Sequence, residues 1–237
     1  MEITTMISEK NFSRGYTSFW AEFTPWLNDY VSFLNEGFVT NIEQPLHYVD
    51  DVNHRSINNI LAFTLFKNAI ENNNNDILMA LDEAKIIASN YPRNNLETYT
   101  LMDTYEQIVL AQTDRLLRRY RDKNLEFYPQ FSGCGIMESC EGDILSENSL
   151  IEIKAGTSAK GILPSDIKQS LVYSALDWLS ENSKNIIHIE LYNPRQGIFW
   201  ESNIEELIKT VSNHTFEDFF DQFGKYLRLS PKVCNCL

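Results

Sequence analysis

At 237 residues and 27.5 kDa, the chain has room for one large domain or for a catalytic core with a helical appendage. Its 43% hydrophobic content supplies a packed interior, yet no apolar run reaches the roughly 18 residues of a membrane span, so a soluble protein with no membrane partner is expected. A formal net charge of −13 and a pI near 4.7 oppose a grip on nucleic acid through bulk electrostatics, so such a partner would have to meet a local cationic face.

The start Met1-Glu2-Ile3-Thr4-Thr5 lacks the basic residues and apolar core of a secretion signal, which predicts a cytoplasmic address. Residues 18–37 read as a helix or helix pair with Thr24 as N-cap and Pro25 in the first helical position. Phe19, Trp20, Phe23, Trp26, Tyr30, Phe33 and Leu34 recur there at near-helical spacing and read as a core stripe. Ser56 is expected to cap a second helix carrying Ile57, Ile60, Leu61, Leu65, Phe66 and Ile70, which the asparagines from Asn72 to Asn75 end. A third helix, from Asp76 to Asn90, carries Ile77, Leu78, Leu81, Ala84 and Ile87 on one side. From about Leu96 to Arg121 a longer helix turns Tyr99, Met102, Tyr105, Ile108, Val109, Gln112 and Leu116 inward. Arg115, Arg118, Arg119 and Arg121 at its end either complement the helix dipole or meet phosphates.

Glu126 to Phe131 reads as an edge strand, because Pro129 cannot donate to a central ladder, and Gly133-Cys134-Gly135 as a turn. A hairpin follows, in which Gly142-Asp143-Ile144-Leu145 and Leu150-Ile151-Glu152-Ile153-Lys154 are its strands. After a loop to Leu163, Pro164 opens a helix on which Gln169 and Tyr173 share a face. Ile186 to Tyr192 is an apolar strand, Asn193 to Gly197 a turn, Ile198 to Trp200 a short strand, and 203–212 and 215–228 are closing helices. His47, His54, His188 and His214 are scattered singly and receive no metal or catalytic role.

The hairpin carries the chemistry. Period-two geometry sends Glu152 and Lys154 to one face of a strand that is otherwise apolar, and a short loop folds Asp143 back beside them. Two carboxylates with an ammonium close by suit magnesium, which takes carboxylate oxygens, retained waters and a substrate phosphate. Such an ion acidifies a nucleophilic water and clamps a phosphodiester, while Lys154 orients the water or stabilises charge in the transition state.

From about Phe127 to Arg195 the chain resembles the PD-(D/E)XK nuclease superfamily, in its RecB-like branch, on Asp143, Glu152, Lys154, Gln169 and Tyr173. The resemblance implies that Asp143 and Glu152 bind magnesium or manganese and that Lys154 assists catalysis. It implies too that the helix of Gln169 and Tyr173 shapes the site and the nucleic-acid path. Gly142 stands where the name-giving proline would be, and the upstream helical histidine common in RecB-like members has no match. Glu106 on the preceding helix is a candidate further metal ligand, with a surface carboxylate as the alternative; Glu138 and Glu141 are lesser candidates. Cys134, Cys140, Cys234 and Cys236 invite an iron–sulfur cluster or zinc, but their spacings fit neither, so reduced thiols are expected.

The fold expected is α/β, a restriction-endonuclease-like core of mixed sheet flanked by helices over residues 96–237, behind an α-helical region over 1–95 suited to docking a partner. Lys154, Lys160, Lys168 and Arg195 would form the nucleic-acid face, with Arg195 holding a phosphate or pairing with a carboxylate. Two functions are open. One is a metal-dependent nuclease cutting phosphodiester bonds, most plausibly in DNA, in restriction, phage defence or repair, with a protein partner or second copy aiding substrate capture. The other is a weakly active or inactive nuclease-like scaffold in a nucleic-acid-processing complex.

Overall fold

The structure, a computed structural model, describes residues 6–38, 40–47, 51–90, 96–157 and 161–229. In chain order it builds α1 (Glu9–Gly15), α2 (Thr17–Phe23), α3 (Leu27–Phe33), β1 (Thr40–Asn41), α4 (Arg55–Asn72), α5 (Ile77–Ser89) and α6 (Asp103–Tyr120). The short strands β2 (Glu126–Phe127), β3 (Gln130–Phe131) and β4 (Cys140–Glu141) lead into β5 (Ile144–Ser146) and β6 (Ser149–Ile153). Then come α7 (Pro164–Trp178), β7 (His188–Asn193), β8 (Ile198–Asn203), α8 (Ile204–Val211) and α9 (Phe216–Leu229).

The fold is α/β, with a mixed sheet in the order β1-β8-β7-β6-β5-β2 and a separate β3-β4 pair. Its β6–β7 pair is parallel, and α7 supplies the crossover that parallel neighbours require. β6 shows why the sheet lies between helices. Leu150 packs into a core with Leu171, Val172 and Leu176 of α7, whereas Ile151 joins Phe66, Leu116 and Tyr120 of α4 and α6 on the other face. Both alternating rows are therefore buried, and Glu152 follows Leu150 onto the α7 side.

The aromatic N-terminal segment is part of that α7-side core. Phe12, Phe19, Trp20 and Phe23 pack among Phe219, Phe223 and Leu227 of α9, so apolar contacts run from one side of residue 95 to the other. α4, α5 and α6 make a further cluster through Ile57, Leu61, Ala80, Ala84, Tyr105 and Val109. Two arginines at the end of α6, Arg115 and Arg119, tie it to neighbouring elements, whereas Arg118 and Arg121 stand exposed. Arg115 pairs with Glu43 at 2.9 Å and donates to the carbonyls of Pro194 and Gln44 at 2.7 and 2.6 Å. Arg119 pairs with Glu190 at 3.1 Å and lies 3.5 Å above the ring of Phe199.

Several sequence expectations are corrected. Thr24 ends α2 instead of capping the next helix: its hydroxyl donates to Trp20 O at 3.0 Å, back along the turn just completed. The break at Thr24 to Trp26 changes the helical phase, and Trp26 and Phe33 stand exposed. Leu78 and Met102, expected on buried faces, are exposed as well. α4 starts at Arg55, which puts Ser56 inside the first turn, and α6 starts at Asp103, well after Leu96. The expected strand from Glu126 to Phe131 is split by Tyr128, whose φ of +54° turns its N–H onto Asp143 O at 3.0 Å. β2 therefore borders the main sheet while β3 leaves it.

Candidate metal centre and its cleft

The site forms where β6 ends. Asp143 lies between β4 and β5, and its Oδ2 accepts from the Ile153 N–H at 2.7 Å across the hairpin. The Asp143 N–H in turn donates to Glu152 Oε1 at 3.2 Å, so the two carboxyl groups are tied reciprocally through backbone. Gly142 leaves room for the Leu150 and Phe131 side chains: a Cβ there would stand 3.1 Å from Leu150 Cδ1 and 3.3 Å from Phe131 Cε2, tighter than side chains normally pack, and in ordinary contact with Glu152 Oε1 at 3.4 Å. At the hairpin tip Glu147 takes a φ of +52°, which lets Ser146 and Ser149 pair directly and sets the register that aligns Asp143 with the end of β6.

Lys154 continues β6, its N–H donating to Tyr192 O at 2.8 Å. Its Nζ donates to Glu152 Oε2 at 2.8 Å and to Gln169 Oε1 at 3.0 Å, leaving the third ammonium hydrogen for the cleft that Lys154 lines. Gln169 Nε2 donates to the Tyr173 hydroxyl at 2.9 Å and to Glu9 Oε1 at 3.3 Å. All five residues that carry the family resemblance thus lie in one hydrogen-bonded chain, with Glu9 of α1 at its far end.

Charge in this cluster is unbalanced. Burial, then the Glu152 carboxylate, pushes Asp143 up to about 7, against the opposing pull of Lys154, the Ile153 N–H and Lys10. Burial alone would lower Lys154, but the carboxylates of Glu152, Asp143 and Asp166 outweigh it and hold the ammonium charged. Burial and the surrounding acids Glu152, Glu9 and Asp143 raise the Tyr173 phenol, so it serves as a neutral hydrogen-bonding group.

Beside the cluster opens a cleft of about 650 Å³. Asp143, Ile153 and Lys154 at the end of the hairpin, Asp166 of α7, and Arg55, Ser56, Asn59, Ile60 and Phe63 of α4 line it, together with Tyr128. The other expected contributors lie elsewhere. Glu106 sits in the first turn of α6, in the α4–α5–α6 layer, and is not among the residues lining the cleft. Lys168 stands over the Trp20 ring at 5.6 Å, and burial lowers its pKa. Arg195 was expected on the nucleic-acid face but is only 2% exposed, and its Nη2 donates to Asn59 Oδ1 at 2.9 Å; it supports the wall from inside. Lys160, Cys234 and Cys236 lie outside the described residues. Cys134 and Cys140 are free thiols, and burial pushes Cys140 up.

Sequence reasoning missed Glu9, whose signal was faint but present. Ser8 caps α1 from the position before it, and Phe12 and Ser13 follow at one-turn spacing, so the acid lies on the buried face. Lys10 and Arg14 of the same helix, both exposed, bring positive charge towards Asp143 and Asp166.

Among the described residues no group of three or more His, Cys, Asp and Glu side chains gathers around one point. The convergent acids are the pair Asp143 and Glu152. A pair suits magnesium or manganese, because such ions take one or two protein carboxylates and keep several waters. The raised Asp143 marks a place short of positive charge, which a divalent cation would correct. No family model, curated protein or solved structure matches the chain.

Proposed function

We propose that this chain is a magnesium- or manganese-dependent nuclease of PD-(D/E)XK type, with a restriction-endonuclease-like core, that hydrolyses phosphodiester bonds in DNA. The observation that carries the reading is the hydrogen-bonded run Asp143–Glu152–Lys154–Gln169 beside an open cleft. Asp143 and Glu152 would hold the ion, which when bound polarises a phosphoryl oxygen and acidifies a nucleophilic water. Lys154 offers its remaining N–H to a phosphate oxygen, where negative charge grows as the bond breaks. Gln169 fixes the direction of that ammonium, and Tyr173 fixes Gln169. Lys10 and Arg14 supply a local positive rim that the net charge of −13 otherwise lacks, and capture of DNA would gain from a basic partner or a second copy.

The inward turn of Arg195 and the overall acidity favour a second reading, a nuclease-like scaffold of low activity. Against it stands Asp143, kept beside Glu152 at an electrostatic cost that a scaffold has no reason to bear. The test is cleavage of linear, circular and single-stranded DNA and of RNA in magnesium or manganese. The wild type should cut DNA, and Asp143→Ala and Lys154→Ala should each lose at least about 100-fold in rate. Full activity in both variants rejects these residues as the centre; RNA cleavage without DNA cleavage moves the substrate to RNA.

A further inference from the structure

Lys154 stands where the β6 ladder stops. Ile153 pairs with Tyr192 as the last residue of β6 in register with β7, and Lys154 lies one position beyond it. Pairing in a sheet fixes which way a side chain points, so past its end the aim of the lysine depends on what else holds the backbone. Its own N–H is held by Tyr192 O. The next anchor comes from α4, where Asn59 Nδ2 donates to Ala155 O at 3.0 Å, across 96 positions of chain.

Asn59 is itself held. Its Oδ1 accepts from Nη2 of the buried Arg195 at 2.9 Å. A guanidinium only donates and a backbone carbonyl only accepts, so the two partners fix the amide with its oxygen to Arg195 and its nitrogen to Ala155. The turn that carries Arg195 is set by Asn193, whose Oδ1 accepts from the N–H groups of Arg195 and Gln196, both at 3.0 Å. Asn193 Nδ2 also donates to Gly156 O at 2.9 Å, and Arg55 Nη1 to Thr157 Oγ1 at 3.0 Å. Residues 155–157 are thus gripped by α4 and by the end of β7, while Gln169 governs only the far end of the lysine, its ammonium.

Resting on the nuclease reading, we propose that Asn59 is a positioning residue for Lys154. It anchors the backbone just past the strand end so that the ammonium reaches the phosphate, and Arg195 keeps the Asn59 amide in its donating orientation. α4 lies outside the stretch from Phe127 to Arg195 that carries the family resemblance, so a helix of the N-terminal region sets the geometry of the site.

Asn59 also lines the cleft, and the test must separate a hold on Lys154 from a touch on substrate. Asn59→Leu keeps most of the bulk and removes both bonds, whereas Asn59→Ala removes the bulk as well. Each is assayed in manganese on DNA that the wild type cuts, alone and combined with Lys154→Ala, in single turnover with enzyme in excess as well as at steady state. Manganese affinity by calorimetry reports whether the Asp143–Glu152 pair is intact. Both variants should lose roughly 10- to 100-fold in kcat, the cost of misplacing a catalytic group by about an ångström, with KM and manganese affinity near wild type. In the Lys154→Ala background Asn59→Leu should cost nothing more, because the group it aims is gone. Wild-type kcat in both Asn59 variants, with cleavage still abolished by Asp143→Ala, overturns this inference and leaves the nuclease standing. A loss confined to KM, or an equal loss with and without the lysine, overturns it too and makes Asn59 a substrate contact. Loss of manganese affinity in both variants overturns it as well, since the bonds then support the fold around the carboxylates and not the lysine alone. No cleavage by the wild type removes the nuclease reading and the inference together.

Discussion

Asp143→Asn should stabilise the metal-free protein above neutral pH. Asp143 rises from an ordinary 3.8 to about 7 in the fold, because burial and Glu152 both oppose its charge. The folded chain therefore holds that proton more tightly than the unfolded chain. Its contribution to stability is complete below the ordinary carboxylate value and disappears as pH rises through about 7. A difference of about 3 in pKa, at about 1.4 kcal/mol each, sets a ceiling of about 4 kcal/mol, and solvent reaching this half-buried group brings the expected loss to about 1–3 kcal/mol. Asparagine removes the charge and keeps an oxygen for the Ile153 N–H. Thermal unfolding followed by circular dichroism at about pH 8 should then place the variant several degrees above wild type without metal, and level with it at about pH 4. Saturating magnesium should raise the wild type and leave the variant nearly unmoved. A wild type at least as stable as Asp143→Asn in metal-free solution at about pH 8, or equal magnesium shifts in both, would refute the reasoning.

Gly142→Ala should cost about 1–3 kcal/mol in unfolding free energy by urea titration, since its methyl group crowds Leu150 Cδ1 and Phe131 Cε2; an unchanged stability would show that these two side chains give way freely. Arg115→Met should destabilise by about 1–3 kcal/mol in urea titration, because the carbonyls of Pro194 and Gln44 lose their donor while Glu43 keeps Arg118 and the Tyr192 hydroxyl. DNA affinity and its salt dependence should be unaffected by Arg115→Met where the variant stays folded, and a shallower salt slope would return this arginine to the nucleic-acid face.

How much of this was legible in the sequence depended on the range of the interaction. Glu152 and Lys154 could be placed on one face because alternation along a strand is a local rule, and their pairing at 2.8 Å follows from it. Gln169 and Tyr173 obey the equally local rule of one helical turn and bond at 2.9 Å. Glu9 reaches Gln169 across 160 positions, and nothing in the spacing of either residue announces the other. Arg195 reads the same in sequence whether it faces solvent or core; its bonds to Asn59 and Asn193, made only in the folded chain, accompany its inward turn. The break at Tyr128 was hidden for another reason, since a tyrosine at positive φ opposes local preference and is held there by its bond to Asp143 O. The cleft wall was likewise illegible as a wall. Ile60 and Phe63 sit on a helix whose periodicity predicts burial and does not say that one edge will face the carboxylates.

Crystals of the wild-type protein soaked in manganese and measured for anomalous scattering test the central claim most directly. The account predicts a peak within coordination distance of both the Asp143 and Glu152 carboxylates, about 2.0–2.3 Å from their oxygens, and no such peak in Asp143→Ala. A well-occupied ion elsewhere, or none between these two side chains at saturating manganese, would contradict it.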